Sequence, residues 1–125
     1  MNDSKFSWRA RGRSFIYAWQ GVKALLGTEH NARVHLLATL LVIIFGWWLD
    51  ISAGEWIAVV ICIGAVFMAE GFNSAIEAVC DLTMPERHPL VKRAKDIAAA
   101  SVLIMALAAF VVGCIIFIPK LWALL

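Results

Sequence analysis

Glu70, Asn73, Ser74 and Glu77 stand at i, i+3, i+4 and i+7 in a stretch that is wholly apolar from Trp56 to Ala69. At 100° per residue they form one helical stripe, which Asp81 extends. At 1.5 Å per residue the stripe climbs about 10 Å from Glu70 to Glu77, from the depth of a span towards its surface. Ionisable groups inside a bilayer cost roughly 3 kcal/mol at the centre and mark functional sites. A polar seam between helices would account for Asn73 and Ser74, but two carboxylates exceed what such a seam needs. Two further clusters flank apolar runs: Thr28-Glu29-His30-Asn31, and Glu86-Arg87-His88 followed by Lys92-Arg93-Ala94-Lys95-Asp96. Either alone reads as a solvated loop. Gathered at one interface they supply carboxylates and cations beside a carboxylate at membrane depth. Carboxylate pairs suit Mg²⁺, which keeps phosphate oxygens and water as its other ligands. Lysine holds phosphate as a point charge. Asp96 can cap the helix that follows it, whose N-terminal amides also favour anions. A carboxylate near the interface can accept a proton from a lipid hydroxyl. Together these parts suit phosphoryl transfer to a lipid alcohol. No G-x-x-x-x-G-K-[ST] loop is present, so a nucleotide must be held without a Walker fold.

The elements that would position these residues are helical. Three apolar runs are visible, Val34 to Leu49, Trp56 onward to Leu82, and Ile97 to Ile118. A spanning helix needs about 20 residues. The third run reaches that without a charge. The second reaches it if its polar stripe is tolerated. The first needs Arg33 or His35 to snorkel at its start. Ahead of them, Trp8, Phe15, Trp19, Val22 and Leu26 repeat on one helical face, with Lys5, Arg9, Arg11, Arg13 and Lys23 around it. A basic, Trp-rich amphipathic helix lies in the membrane interface. Gly27 to Asn31 reads as the turn into the first span, and the Pro85 and Pro89 signals interrupt the chain between the second and third. The expected elements are a surface helix over 5–28 and spans over 33–49, 55–82 and 96–118, in a single all-α domain of residues 1–125.

Composition agrees with that organisation. The chain has 125 residues, 62% hydrophobic and 16% charged, and a mean hydropathy of +0.83. A soluble domain is about 45–50% apolar and about 25% charged. A soluble chain of this size could not hide so much apolar surface. The net charge of +2 gives no reason to expect nucleic acid. Cys62, Cys80 and Cys114 lie in or beside apolar runs without C-x-x-C spacing, so they read as small buried hydrophobes. No removable signal peptide is expected. Six cations precede residue 34 and four, Arg87, Lys92, Arg93 and Lys95, fall between Asp81 and Asp96; the 50–55 loop has none. By the positive-inside rule the N-terminus and the 81–96 loop face the cytoplasm, with Trp47, Trp48 and Trp56 as anchors at the other interface.

The run Glu70-Gly71-Phe72-Asn73-Ser74-Ala75-Ile76-Glu77-Ala78-Val79-Cys80-Asp81, followed by His88 and Arg93-Ala94-Lys95-Asp96, strongly resembles the small bacterial integral-membrane diacylglycerol and undecaprenol kinases. The E-x-x-N-[ST]-A-I-E core with A-K-D some way beyond it is a specific combination, and the resemblance covers Phe6 to Ile118. Tyr17, Trp19, Gly21, Glu29 and the Trp48-Leu49-Asp50 corner also match. The resemblance implies a homotrimer in the inner, cytoplasmic membrane, with its active site on the cytoplasmic side. It implies ATP with Mg²⁺, and Glu70 as the general base that meets the lipid hydroxyl. Glu29 and Glu77 would hold the metal, and Asn73 would order the site around Glu70. Tyr17, Glu86, Arg87, His88, Lys95 and Asp96 would contact the nucleotide. Trp19, Arg33, Trp48, Trp56 and Ala99 would contact the lipid. Near the N-terminus the family's arginine has no single counterpart, because Ala10 lies between Arg9 and Arg11. Gly71 and Phe72 replace larger aliphatic residues, while T-E-H-N-A-R-x-H and His-Pro-Leu resemble the undecaprenol-type members.

The reading that follows is a membrane lipid kinase. The rival is a small transport or ion-channel subunit with Glu70 and Glu77 lining the path. An ion path does not require Glu29, Lys95 and Asp96 at one mouth, whereas a Mg–ATP site does. Both diacylglycerol and undecaprenol present a primary alcohol on an apolar tail, so the chain alone leaves both as substrates.

Overall fold

The computed structural model describes residues 5–125, and among these the secondary structure is helical throughout, with no strand. Helix α1 spans Trp8–Thr28, α2 His30–Trp48, α3 Ala53–Thr83 and α4 Pro89–Trp122. The last three are each long and apolar enough to cross a membrane. Leu37, Ile44, Ile61, Leu103, Phe110 and Ile115 all lie on the exterior. Such a surface would be an aggregation liability in water and is the ordinary exterior of a chain dissolved in lipid.

α1 is capped by Ser7, whose hydroxyl accepts the Ala10 N–H. None of its residues is buried. The expected turn over 27–31 shrinks to Glu29, which alone separates α1 from α2. Arg33 makes this possible. Its guanidinium donates to the carbonyls of Leu26 at 2.8 Å and Gly27 at 2.6 Å, which satisfies the open end of α1.

α4 begins at Pro89, well before the expected 96, and this corrects the cap. Proline at the first helical position loses no hydrogen bond. His88 is the N-cap, its Nδ1 accepting the Leu90 N–H at 3.1 Å. Asp96 therefore lies inside α4 and accepts from Lys92 Nζ at 2.6 Å, one turn back. Pro85 and Pro89 still bracket the break between α3 and α4.

The helices meet along 3–4 spaced seams. Ala32, His35, Thr39, Val42 and Gly46 form the less exposed side of α2. Val59, Val66, Glu70 and Asn73 are the buried residues of α3; Ala98, Val102 and Ile116 are those of α4. Such spacing is the pattern of slightly supercoiled helix pairs. The apolar core sits at the α2–α3 corner, where Ile51, Val59 and Ile116 are buried against Trp56 and Phe117.

That corner is tightly built. Ile51 N–H donates to Gly46 O and Asp50 N–H to Trp47 O, with Asp50 at φ 50°. This is a Schellman ending with aspartate in the left-handed position that a short polar side chain tolerates. Ser52 and Glu55 then form a reciprocal capping box that starts α3, and Glu55 also meets Lys120 at 3.3 Å. Gly46 is required by close approach: a Cβ there would fall 2.7 Å from Trp56 Cη2. Gly46→Ala should gain about 1 kcal/mol in helix propensity and lose about 1–3 kcal/mol to overpacking. The net expectation is a lower thermal midpoint in detergent; an unchanged or higher midpoint would contradict the close packing.

Candidate active site

The end of the bundle opposite the Asp50 corner carries the polar stripe. Glu70, 1% exposed, and Asn73 are the buried polar or charged side chains among the described residues. Their helix cannot turn both away, because they share the stripe that faces its neighbours. Glu70 Oε1 lies 3.1 Å from His35 Nε2. The contact is close but not aligned, and Oε1 accepts no hydrogen bond. Asn73 Oδ1, one turn on, is likewise buried without a donor. An unpaired buried acceptor costs about 1–3 kcal/mol. Two of them a turn apart suit a ligand that brings donors.

Glu29 joins the stripe from the α1–α2 junction. It is the N-cap residue of α2 but makes no side-chain cap bond, so its carboxylate is free to reach across to α3. Ser74 Oγ donates to Glu29 Oε1 at 3.1 Å, linking residues 45 apart in sequence. Glu77 lies one turn beyond Ser74 on the same stripe and is half-buried. Among the described residues no three His, Cys, Asp or Glu side chains cluster tightly enough to hold a metal by themselves. A cation beside Glu29 and Glu77 would therefore draw its remaining ligands from phosphate and water, as Mg²⁺ does.

The cationic cluster divides between two directions. Lys95 Nζ donates to Asp81 Oδ1 at 2.6 Å and ties α4 to the end of the stripe. Asp96, the next residue, pairs with Lys92 instead and lines an open groove with Arg93. Both ion pairs are largely exposed. Exposed pairs contribute about 0–1 kcal/mol, so an incoming phosphate can displace them. Glu86, Arg87 and His88 are exposed in the α3–α4 break at this same end.

Other candidates lie elsewhere. Tyr17 and Trp19 stand out from α1, 63% and 62% exposed. Arg33 is engaged in capping α1. Trp56 covers Gly46 at the far corner, fourteen residues and so about 21 Å along α3 from Glu70. Trp48 sits at that corner against Phe45, and Ala99 is exposed on α4.

His35, offered in the sequence only as an alternative to Arg33 for snorkelling at the start of the first span, was missed as a site residue. It does not snorkel; it turns inward to Glu70. It also lines an apolar cavity of about 440 Å³ between α2, α3 and α4, with Thr39, Val42, Val66 and Phe110 among the walls. Ala32, Thr39 and Gly46, small residues seven apart, mark a packing face of α2 on which His35 also falls, but not the neighbour that covers it.

Comparison with known proteins adds to this geometry. Residues 16–117 match the family model described as prokaryotic diacylglycerol kinase. The chain is 38% identical to undecaprenol kinase of Bacillus subtilis, over 87% of this chain and 89% of that one. It is 37% identical to diacylglycerol kinase of Escherichia coli K12, over 80% of this chain and 82% of that one. It is 30% identical to diacylglycerol kinase of Helicobacter pylori, over 83% and 85%. A match of that extent, running through the buried stripe and both polar junctions, leaves the ion-path reading without support. The chain belongs to the prokaryotic diacylglycerol kinase family and is a membrane lipid kinase, a phosphotransferase to lipid.

Proposed function

We propose that this kinase transfers the γ-phosphoryl group of ATP, as its Mg²⁺ complex, to the hydroxyl of a membrane lipid alcohol, undecaprenol being favoured over diacylglycerol. The observation that carries the reading is Glu70, a buried carboxylate within a helix long and apolar enough to span a membrane, with an oxygen that accepts no hydrogen bond. Glu70 accepts the hydroxyl proton as the lipid oxygen attacks. Glu29 and Glu77 hold the metal, which when bound neutralises phosphate charge. Asn73 supplies an oriented amide beside Glu70. Lys95 and Asp96, with Tyr17, Glu86, Arg87 and His88, receive the nucleotide. Trp19, Arg33, Trp48, Trp56 and Ala99 meet the lipid. Positioning and charge neutralisation supply most of the catalysis in such transfers.

The wider arrangement follows from the same residues. The Glu29 junction and the 84–88 break are joined to opposite ends of alternating helices, so they share one side, and the cations cluster there. The positive-inside rule makes that side cytoplasmic, in the inner membrane, where ATP is available. α1, basic and unburied, lies in the interface. The assembly is a homotrimer. Exposure of Tyr17 and Trp19 away from their own stripe leaves them available to a neighbouring copy.

Purified full-length protein, given labelled ATP, Mg²⁺ and each lipid in mixed micelles, should label both, with the higher kcat/KM on undecaprenol. Label on neither lipid would overturn the proposal. A clear preference for diacylglycerol would reverse the substrate assignment.

A further inference from the structure

The lipid hydroxyl leaves its proton on Glu70, and that carboxyl has almost no contact with water, being 1% exposed. A carboxyl so shielded from water has to pass its proton on through a neighbouring side chain. Turnover therefore needs a second acceptor. His35 is placed to be it. Its Nε2 is 3.1 Å from Glu70 Oε1, and its side chain is 23% exposed against 1% for Glu70. An imidazole carries one acceptor and one donor nitrogen, and so can take a proton on one side and release it from the other.

The surroundings single it out. On α3, Asn73 does not titrate, Ser74 is engaged with Glu29, and Glu77 lies two turns from Glu70. The cavity beside His35 has only the thiols of Cys62 and Cys114 as other titratable groups on its walls. On α2, Arg33 is held by the end of α1. Lys95, from α4, is held by Asp81. From His35 the polar junction at Glu29 is six residues away, about 9 Å along α2.

We propose that His35 is the proton-relay partner of Glu70, a positioning residue that takes the lipid-hydroxyl proton from the buried carboxyl and passes it to water. The proposal rests on the general-base reading of Glu70. As the lipid O–H breaks, its proton goes to the Glu70 carboxylate. The lipid oxygen bonds to the γ-phosphorus, and the bond from that phosphorus to the β,γ-bridging oxygen breaks, leaving ADP. The neutral imidazole then accepts the proton from the carboxyl at Nε2 and becomes imidazolium. Loss of one proton to water at the Glu29 end restores both side chains, so one proton is released per phosphoryl group transferred.

The test is steady-state kinetics of the full-length assembly with Mg–ATP and undecaprenol. His35→Gln keeps polarity and bulk but cannot relay. It should lower kcat at least about tenfold, towards the range for general acid–base groups, and leave both KM values unchanged. His35→Gly opens space contiguous with the 440 Å³ cavity. Added imidazole should enter it and restore kcat several-fold, whereas imidazole should not rescue His35→Gln or Glu70→Gln. Normal kcat in His35→Gln, or a raised KM at normal kcat, would overturn the relay. So would an intact, slow His35→Gly assembly that imidazole fails to restore. If His35→Gln does not assemble, His35→Asn and the imidazole response of His35→Gly decide. Near-normal turnover of Glu70→Gln would overturn the general-base reading itself; an inactive Glu70→Gln beside a normal His35→Gln would overturn the relay alone.

Discussion

Glu70→Gln should lower kcat by at least about 10²-fold, the loss typical of a missing general base, while the assembly and both apparent affinities persist. The substitution keeps the side chain's shape and one carbonyl oxygen, and replaces the proton-accepting carboxylate by a neutral amide. The wild-type carboxylate has one oxygen beside His35 and no aligned hydrogen bond on it. Glutamine therefore breaks no strong bond that the fold relies on. Initial rates across lipid and Mg–ATP concentrations would separate kcat from KM, and native mass spectrometry in mild detergent would report the assembly. Near-normal turnover on both lipids would remove Glu70 from the chemistry. Loss of the folded oligomer would return the stripe to a polar seam between helices.

Glu77→Gln should act differently, through the metal. Glu29 reaches α3 by accepting from Ser74, and Glu77 stands one turn further along. If the two share a cation, losing either charge should raise the Mg²⁺ concentration needed for half-maximal rate by about tenfold or more, equivalent to about 1.4 kcal/mol per tenfold. Saturating Mg²⁺ should recover part of the rate. Ser74→Ala removes only the hydroxyl that steers Glu29, and its effect should be smaller, near the 0.5–1.5 kcal/mol of a single hydrogen bond, roughly a few-fold. Titrating Mg²⁺ at fixed ATP for Glu29→Gln, Glu77→Gln and Ser74→Ala gives the order. Gln variants that lose thermal stability but keep the wild-type Mg²⁺ requirement would show the carboxylates to be structural.

Much of the fold was legible because its signals are local. Three candidate spans follow from run length, and the place of Glu70 within the second from the apolar run before it. The stripe from Glu70 to Asp81 is set by the 100° step of one helix, which needs no partner. The break between α3 and α4 follows from the prolines at 85 and 89. The helix period and composition of a single segment suffice for each.

The pairing between segments was decided only by the tertiary structure. In lipid the outside of a helix is as apolar as its packed side, so hydropathy does not say which face of α2 or α4 meets α3. That is why Arg33 and His35 read as alternative snorkelling residues in the sequence, while in the fold His35 is found against Glu70. Donors and acceptors at helix ends also compete for partners according to distance across a turn. Arg33 was taken by the carbonyls of Leu26 and Gly27, and His88 rather than Asp96 became the cap of α4. Lys95 and Asp96, adjacent in the chain, point about 100° apart on a helix and found different partners, Asp81 and Lys92. The chain by itself determined which residues are candidates for chemistry and where along each helix they stand. Which of them touch depended on how α2 and α4 are rotated against α3, because a period specifies a face but not the neighbour that covers it.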